Sequence, residues 1–207
     1  MTDSDGPGMG GEATPPPPPS NWDTAPAAPA SAAVPGAKGY VYADVLYRVV
    51  ALFIDAIILG IINLAILGAI LSQVGLGVLN NDLSVNFIGL IAYALIGTVI
   101  SLVYFVFTWT RMRASIGLKL LGMQVGNAAD GATLTQDQAI RRWIALWGPG
   151  TLGSLLSNLP GIGFLLSLVG LGWMIYLLYT TYSSATKQGF HDIFASTVVV
   201  KRATSVG

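Results

Sequence analysis

The sequence predicts an all-α integral membrane protein: a compact bundle of about four transmembrane helices, the third short or broken, behind a disordered N-terminal tail. Three observations predict it. Charged residues make up only 10% of the 207 residues, against 53% hydrophobic, where a soluble domain carries about 25% charged. Long apolar runs recur along the chain. The basic residues fall in alternate gaps between those runs.

The tail comes first. Nine of the eleven prolines precede residue 40, five of them consecutive at Pro15–Pro19, among Gly, Ala, Ser and Thr. Such a stretch buries too little apolar surface to offset its ordering entropy. Residues 1–40 therefore read as a disordered, solvated cytoplasmic segment, with polyproline II character at the proline run. A docking ligand for a proline-binding module is the sharper alternative. No basic cluster precedes a short apolar core, so the segment does not read as a signal peptide.

The apolar runs span about 45–71, 87–110, 143–159 and 162–182. At about 1.5 Å per residue the first two can cross a hydrocarbon core of about 30 Å. Tyr104 and Trp109 lie where an interfacial aromatic belt would sit. The stretch from Trp143 to Tyr182 is too long for one span, and Asn158-Leu159-Pro160-Gly161 reads as a turn within it. Its first half contains Gly148-Pro149-Gly150 and is expected to be short, broken or re-entrant. Between the second and third runs, Met123, Val125 and the Asp130-Gly131 pair suggest a small hairpin or tight turn.

All ten basic residues lie at Lys38, Arg48, within 111–142, or at Lys187, Lys201 and Arg202. Four spans with both termini in the cytoplasm put every one of them inside, and three would not. The expected location is the plasma membrane, multi-pass.

The costly residues sit in the first run. An aspartate at the centre of a span costs about 2.5–3.5 kcal/mol on insertion scales. Arg48, Asp55 and Asn63 are spaced by seven and eight residues. At about 100° per residue they form a polar stripe on one face. Lipid does not tolerate such a stripe, so it should face other helices or a wet cavity. Asp55 then needs a partner or a proton, and Lys119, Arg141 and Arg142 are the candidate cations.

YRVVALFID over 47–55 resembles the first element of the RDD family of membrane proteins, named for one arginine and two aspartates. RASIGLKLLGMQV over 113–125 is similar to the family's segment of spaced Gly, Lys, Leu, Gly and Val after the second span, through Gly117, Lys119, Leu121, Gly122 and Val125. Arg141-Arg142-Trp143 and HDIFASTVVV over 191–200 look like its later elements. The resemblance implies that Arg48, Asp55 and Asp192 are the family's charges, and that a transmembrane domain covers about 41–202, with 203–207 a C-terminal tail. Transport is the activity usually suggested for the family.

Other chemistry is missing from the sequence. There is no cysteine and a single histidine, His191, so no metal centre or thiol catalysis is expected. No phosphate loop or nucleophile motif occurs, and neither an enzyme, a cofactor nor a nucleic-acid partner is expected. His191 reads as a capping residue, or as a proton sensor near neutral pH. The leading expectation is a small transport-related protein exchanging cations or protons through Asp55. The alternative is a non-catalytic accessory or scaffolding subunit whose charges are structural. Small residues at Gly68/Ser72, Gly97/Ser101, Gly150/Ser154 and Gly163/Ser167 permit close packing, within the bundle or in a homo-oligomer or larger membrane complex.

Overall fold

A computed structural model describes residues 40–82, 84–156 and 162–202. The expected tail up to residue 39, the turn at 158–161 and residues 203–207 lie outside the described residues. What is described is mostly helical.

A short strand β1 (Tyr40–Tyr42) leads into α1 (Val45–Ile61), capped by the Asp44 carboxylate on the Val45 N–H. The helix continues through a π-helical segment, Ile62–Leu67, into α2 (Gly68–Gln73). Together they form one apolar stretch, Val45–Gln73. α3 (Phe87–Met112) begins at Asn86, whose side chain accepts from the Gly89 N–H at 3.0 Å. A one-turn helix α4 (Ile116–Leu120) and strand β2 (Met123–Asn127) follow. α5 (Gln136–Leu156) starts at a reciprocal cap between Thr135 and Gln138, in which each side chain accepts the other's backbone N–H. α6 (Gly163–Ser183), the short α7 (Phe190–Phe194) and strand β3 (Thr197–Arg202) complete the described chain.

Val45–Gln73, Phe87–Met112 and Gly163–Ser183 are long and apolar enough to cross a membrane. α5 is as long as α6, at 21 residues, but its first turns carry Asp137, Arg141 and Arg142. From Trp143 onward its apolar part measures only about 21 Å. The expected break at Gly148-Pro149-Gly150 does not occur: α5 runs through Pro149. Proline has no N–H to give to the carbonyl four residues earlier. That carbonyl, of Ala145, accepts instead from the Trp173 indole N–H of α6 at 2.9 Å.

The three strands form one antiparallel sheet in the order β1-β3-β2. Val125 pairs with Val199 and Tyr42 with Val200. The expected tight turn forms, with Gly131 at φ 68° and its N–H donating to the Asn127 carbonyl, but the expected hairpin at 121–135 is replaced. β2 forms, but its partner is the C-terminal strand, because the Val198–Val200 run offers apolar β-branched side chains to both faces. Val199 joins Trp109, Phe105 and Val125 in the bundle core, while Val198 and Val200 pack with Tyr42 on the other face.

The sheet also constrains the path of the chain. β2 and β3 are neighbours, so α5 and α6 together leave the sheet end of the bundle and return to it. They pack along each other as an antiparallel pair, Ala145 beside Trp173 and Gly153 beside Leu166.

Candidate functional site

Two buried carboxylates stand at the sheet end of the bundle. Asp55, on α1, is 2% exposed. Its Oδ1 accepts from the Tyr104 hydroxyl of α3 at 2.6 Å and from the Gly117 N–H at 2.8 Å. Its Oδ2 accepts from the Ser115 hydroxyl at 2.5 Å. Ser115 is also the N-cap of α4, its oxygen accepting from the Leu118 N–H. Tyr104 likewise accepts from the Ile116 N–H. One turn of chain after α3 thus wraps the carboxylate. Gly117 is required there: a Cβ would fall on the Ala51 carbonyl oxygen, far inside contact distance, and 3.0 Å from Asp55 Oδ2.

Every donor to Asp55 is neutral. Among the described residues, no Lys, Arg or His forms an ion pair with it. The three candidate cations go elsewhere. Lys119 is exposed, Arg141 pairs with Asp137 on the surface of α5 at 2.9 Å, and Arg142 turns to Asp192. Hydroxyl donors can rotate into acceptors, whereas a backbone N–H cannot. If Asp55 takes up a proton, Gly117 keeps Oδ1 an acceptor. The proton then belongs on Oδ2, where Ser115 can turn to receive it.

Asp192, on α7, is fully buried. Arg48 Nη1 lies 2.5 Å from its Oδ2, and Arg142 Nη1 donates to its Oδ1. Arg142 also donates to the Thr197 hydroxyl at 2.6 Å and stacks over the Trp109 ring. Arg48 reaches the Ala43 carbonyl through Nε at 3.1 Å. The Gly189 N–H donates to Oδ2 at 3.2 Å. Burial works to raise the Asp192 pKa, but Arg142 foremost, with His191 and Arg48, outweighs it and holds the carboxyl well below the usual carboxylate range. This cluster clamps α1, α5, α7 and β3 together.

His191 is 7% exposed, with Nε2 at 3.5 Å from Asp192 Oδ2. Burial pushes its pKa down to about 4, with Asp192 pulling up and the two arginines pushing down. It is therefore a neutral buried group at physiological pH, and the expectation of a sensor near neutral pH is corrected. Asn63 is also reassigned. Its Nδ2 donates to the Leu59 carbonyl of its own helix at 2.8 Å, and its Oδ1 abuts Gly97, where a Cβ would lie 2.7 Å away. The polar stripe on the first helix thus faces other elements at three separate contacts. Tyr104 and Trp109 were expected in an interfacial belt. The Tyr104 hydroxyl instead serves Asp55, and Trp109 is only 2% exposed, in the core.

Sequence reasoning missed Tyr104, Ser115 and Thr197 as site residues. Ser115 carries a usable signal, as an N-cap type directly before an apolar turn. For Tyr104 and Thr197 only the fold reveals the role.

The pairing of Arg48 with Asp192, 144 residues apart, and the Gly117 turn on Asp55 give physical roles to residues that a family comparison can check. The RDD family model matches residues 42–196. The chain belongs to the RDD family. Its apolar helices agree with the membrane character of that family. No curated protein and no solved structure matches the chain. The matched range includes Arg48, Asp55 and Asp192, which the fold divides between two sites.

Proposed function

We propose that this RDD protein is a small transport-related membrane protein in which Asp55 binds and releases a proton or a small cation. The observation that supports the reading is the shell of Asp55: a buried carboxylate that, among the described residues, is met by neutral donors and forms no ion pair. A buried charge of that kind costs free energy unless it is bound or protonated. Its charge state can change without stranding a partner. Arg48, Arg142 and Asp192 then hold the bundle in shape. The proposed setting is the plasma membrane, with the sheet and both termini on the cytoplasmic side. The clustering of Arg48, Arg113, Lys119, Lys187 and Lys201 in segments at the sheet end supports that orientation.

The test is ion- and pH-dependent flux in proteoliposomes, wild type against Asp55→Asn at matched insertion. Flux that is lost in the variant supports the reading. Equal flux in both, or none in either, overturns it. A second reading has its own support. Asp192 is saturated by two arginines and a threonine, as expected of a purely architectural charge in an accessory subunit. That reading predicts co-purification with a defined membrane complex and no flux from the protein alone.

A further inference from the structure

Between α1, α3, α5 and α6 lies a cavity of about 80 Å³. Asp55 and Ser115 line one part of it, and Arg142 and His191 another, with Phe105 and Trp109 among the apolar walls. Two of these polar groups have unmet hydrogen-bonding atoms: Arg142 Nε and His191 Nδ1 are both buried and without a partner. The residues themselves are 4% and 7% exposed. Buried polar atoms rarely go unpaired, and each that does calls for an occupant.

The two atoms ask for opposite things. Arg142 Nε–H is a donor. His191 Nε2 lies 3.5 Å from Asp192 Oδ2, so a proton on Nε2 faces the carboxylate and Nδ1 can accept. Asp55 Oδ2 accepts one donor where Oδ1 accepts two, so it too has room for another. An anion would meet the Nδ1 lone pair and the Asp55 carboxylate. A metal cation would meet two arginines. A molecule that both donates and accepts satisfies all three positions. The volume suits several waters, each of which needs about 10–15 Å³ and two or more polar partners.

We infer that this cavity holds an ordered water cluster joining Arg142 Nε and His191 Nδ1 to Asp55 Oδ2. Resting on the proposed role of Asp55, the cluster is the route by which a proton reaches that carboxylate from the sheet end of the bundle. His191 is a positioning residue: it accepts from the first water and keeps its own charge state.

The experiment is X-ray hydroxyl-radical footprinting of the full chain in lipid nanodiscs. Radicals formed from bound water label side chains beside it, even buried ones. Phe105 and Trp109, at 1% and 2% exposure, line the cavity. Met123 is as buried, at 1%, is intrinsically more reactive, and does not line it. The expected result is label on Phe105 and Trp109 and none on Met123. Protection of all three overturns the inference. His191→Phe should remove the label from both aromatics and slow proton flux. Retention of label in a folded His191→Phe protein also overturns the assignment of His191. Asp55→Asn should keep the label while losing flux. The water cluster and the transport reading can therefore fail separately: label without any wild-type flux sinks only the latter.

Discussion

Asp55 and Asp192 are both carboxylates with almost no exposure, 2% and 0%, and both tie remote segments of chain together. Their surroundings differ in kind. Asp55 is met by two hydroxyls and a backbone N–H, Asp192 by two guanidinium groups. The difference lies in what each can give up. Protonating Asp192 would strand two buried arginines, so its charge is locked. Protonating Asp55 asks only that a hydroxyl rotate. Among the described residues one aspartate is held by two guanidinium groups and the other by neutral donors, and the proposed role of Asp55 rests on that contrast.

The largest expected effect comes from breaking the locked site. Asp192→Asn leaves Arg48 and Arg142 uncompensated and should cost about 3–5 kcal/mol, read as a large fall in thermal stability in detergent or nanodiscs. Asp55→Asn should cost much less. Equal losses would erase the distinction between the two sites. Next is Gly117→Ala. The added methyl drives α4 off α1, and overpacking of this kind costs about 1–3 kcal/mol. It should also abolish any Asp55-dependent flux, since the wrapping turn is displaced. A protein of unchanged stability and flux would mean that the turn is not closed on Asp55.

Tyr104→Phe removes a single donor from Asp55, for about 1–2 kcal/mol. The same change should shift the pH dependence of flux, which a structural hydroxyl would leave alone. The effect of His191→Gln is confined to a window of pH. In the native state burial holds the imidazole neutral to about pH 4, whereas the unfolded chain takes up its proton near the ordinary 6.5. The unfolded state binds more protons in that window, so wild-type stability should fall as pH drops from about 6.5 toward 4. Asp192, held low, gives up its contribution only as pH falls below its ordinary 3.8. The melting temperature of His191→Gln should therefore be flat in the upper window and decline only below it. A variant that tracks wild type throughout would show that His191 is not the group being titrated.

The spanning helices were legible because lipid imposes a one-dimensional rule: enough consecutive apolar residues. The first and last runs match α1–α2 and α6 within a few residues. The short third run was legible too, but not its continuity, because only the fold supplies Trp173 to cover the carbonyl that Pro149 leaves free. The cost of Asp55 could be read from its position, and its three donors could not. They come from α3 and from the turn before and within α4, where nothing local marks Tyr104 as a ligand of a residue 49 positions away. The sheet escaped because its three strands are short and far apart in the chain. Val198–Val200 carried the β-branched signal, without a nearby turn to pair it.

The strand order has a consequence for how the protein is made. β1 emerges first and β2 some eighty residues later, yet neither pairs with the other. Both wait for β3, the last element, which inserts between them. Arg48 waits equally long for Asp192. The helices can enter the bilayer one after another while the ribosome is still at work, but the sheet has no stable form until its central strand arrives. A chain cut short before Thr197 would leave two unpaired strand edges, the kind of surface on which aggregation and quality control act. The last described strand thus makes translation through Arg202 a condition of assembling the sheet.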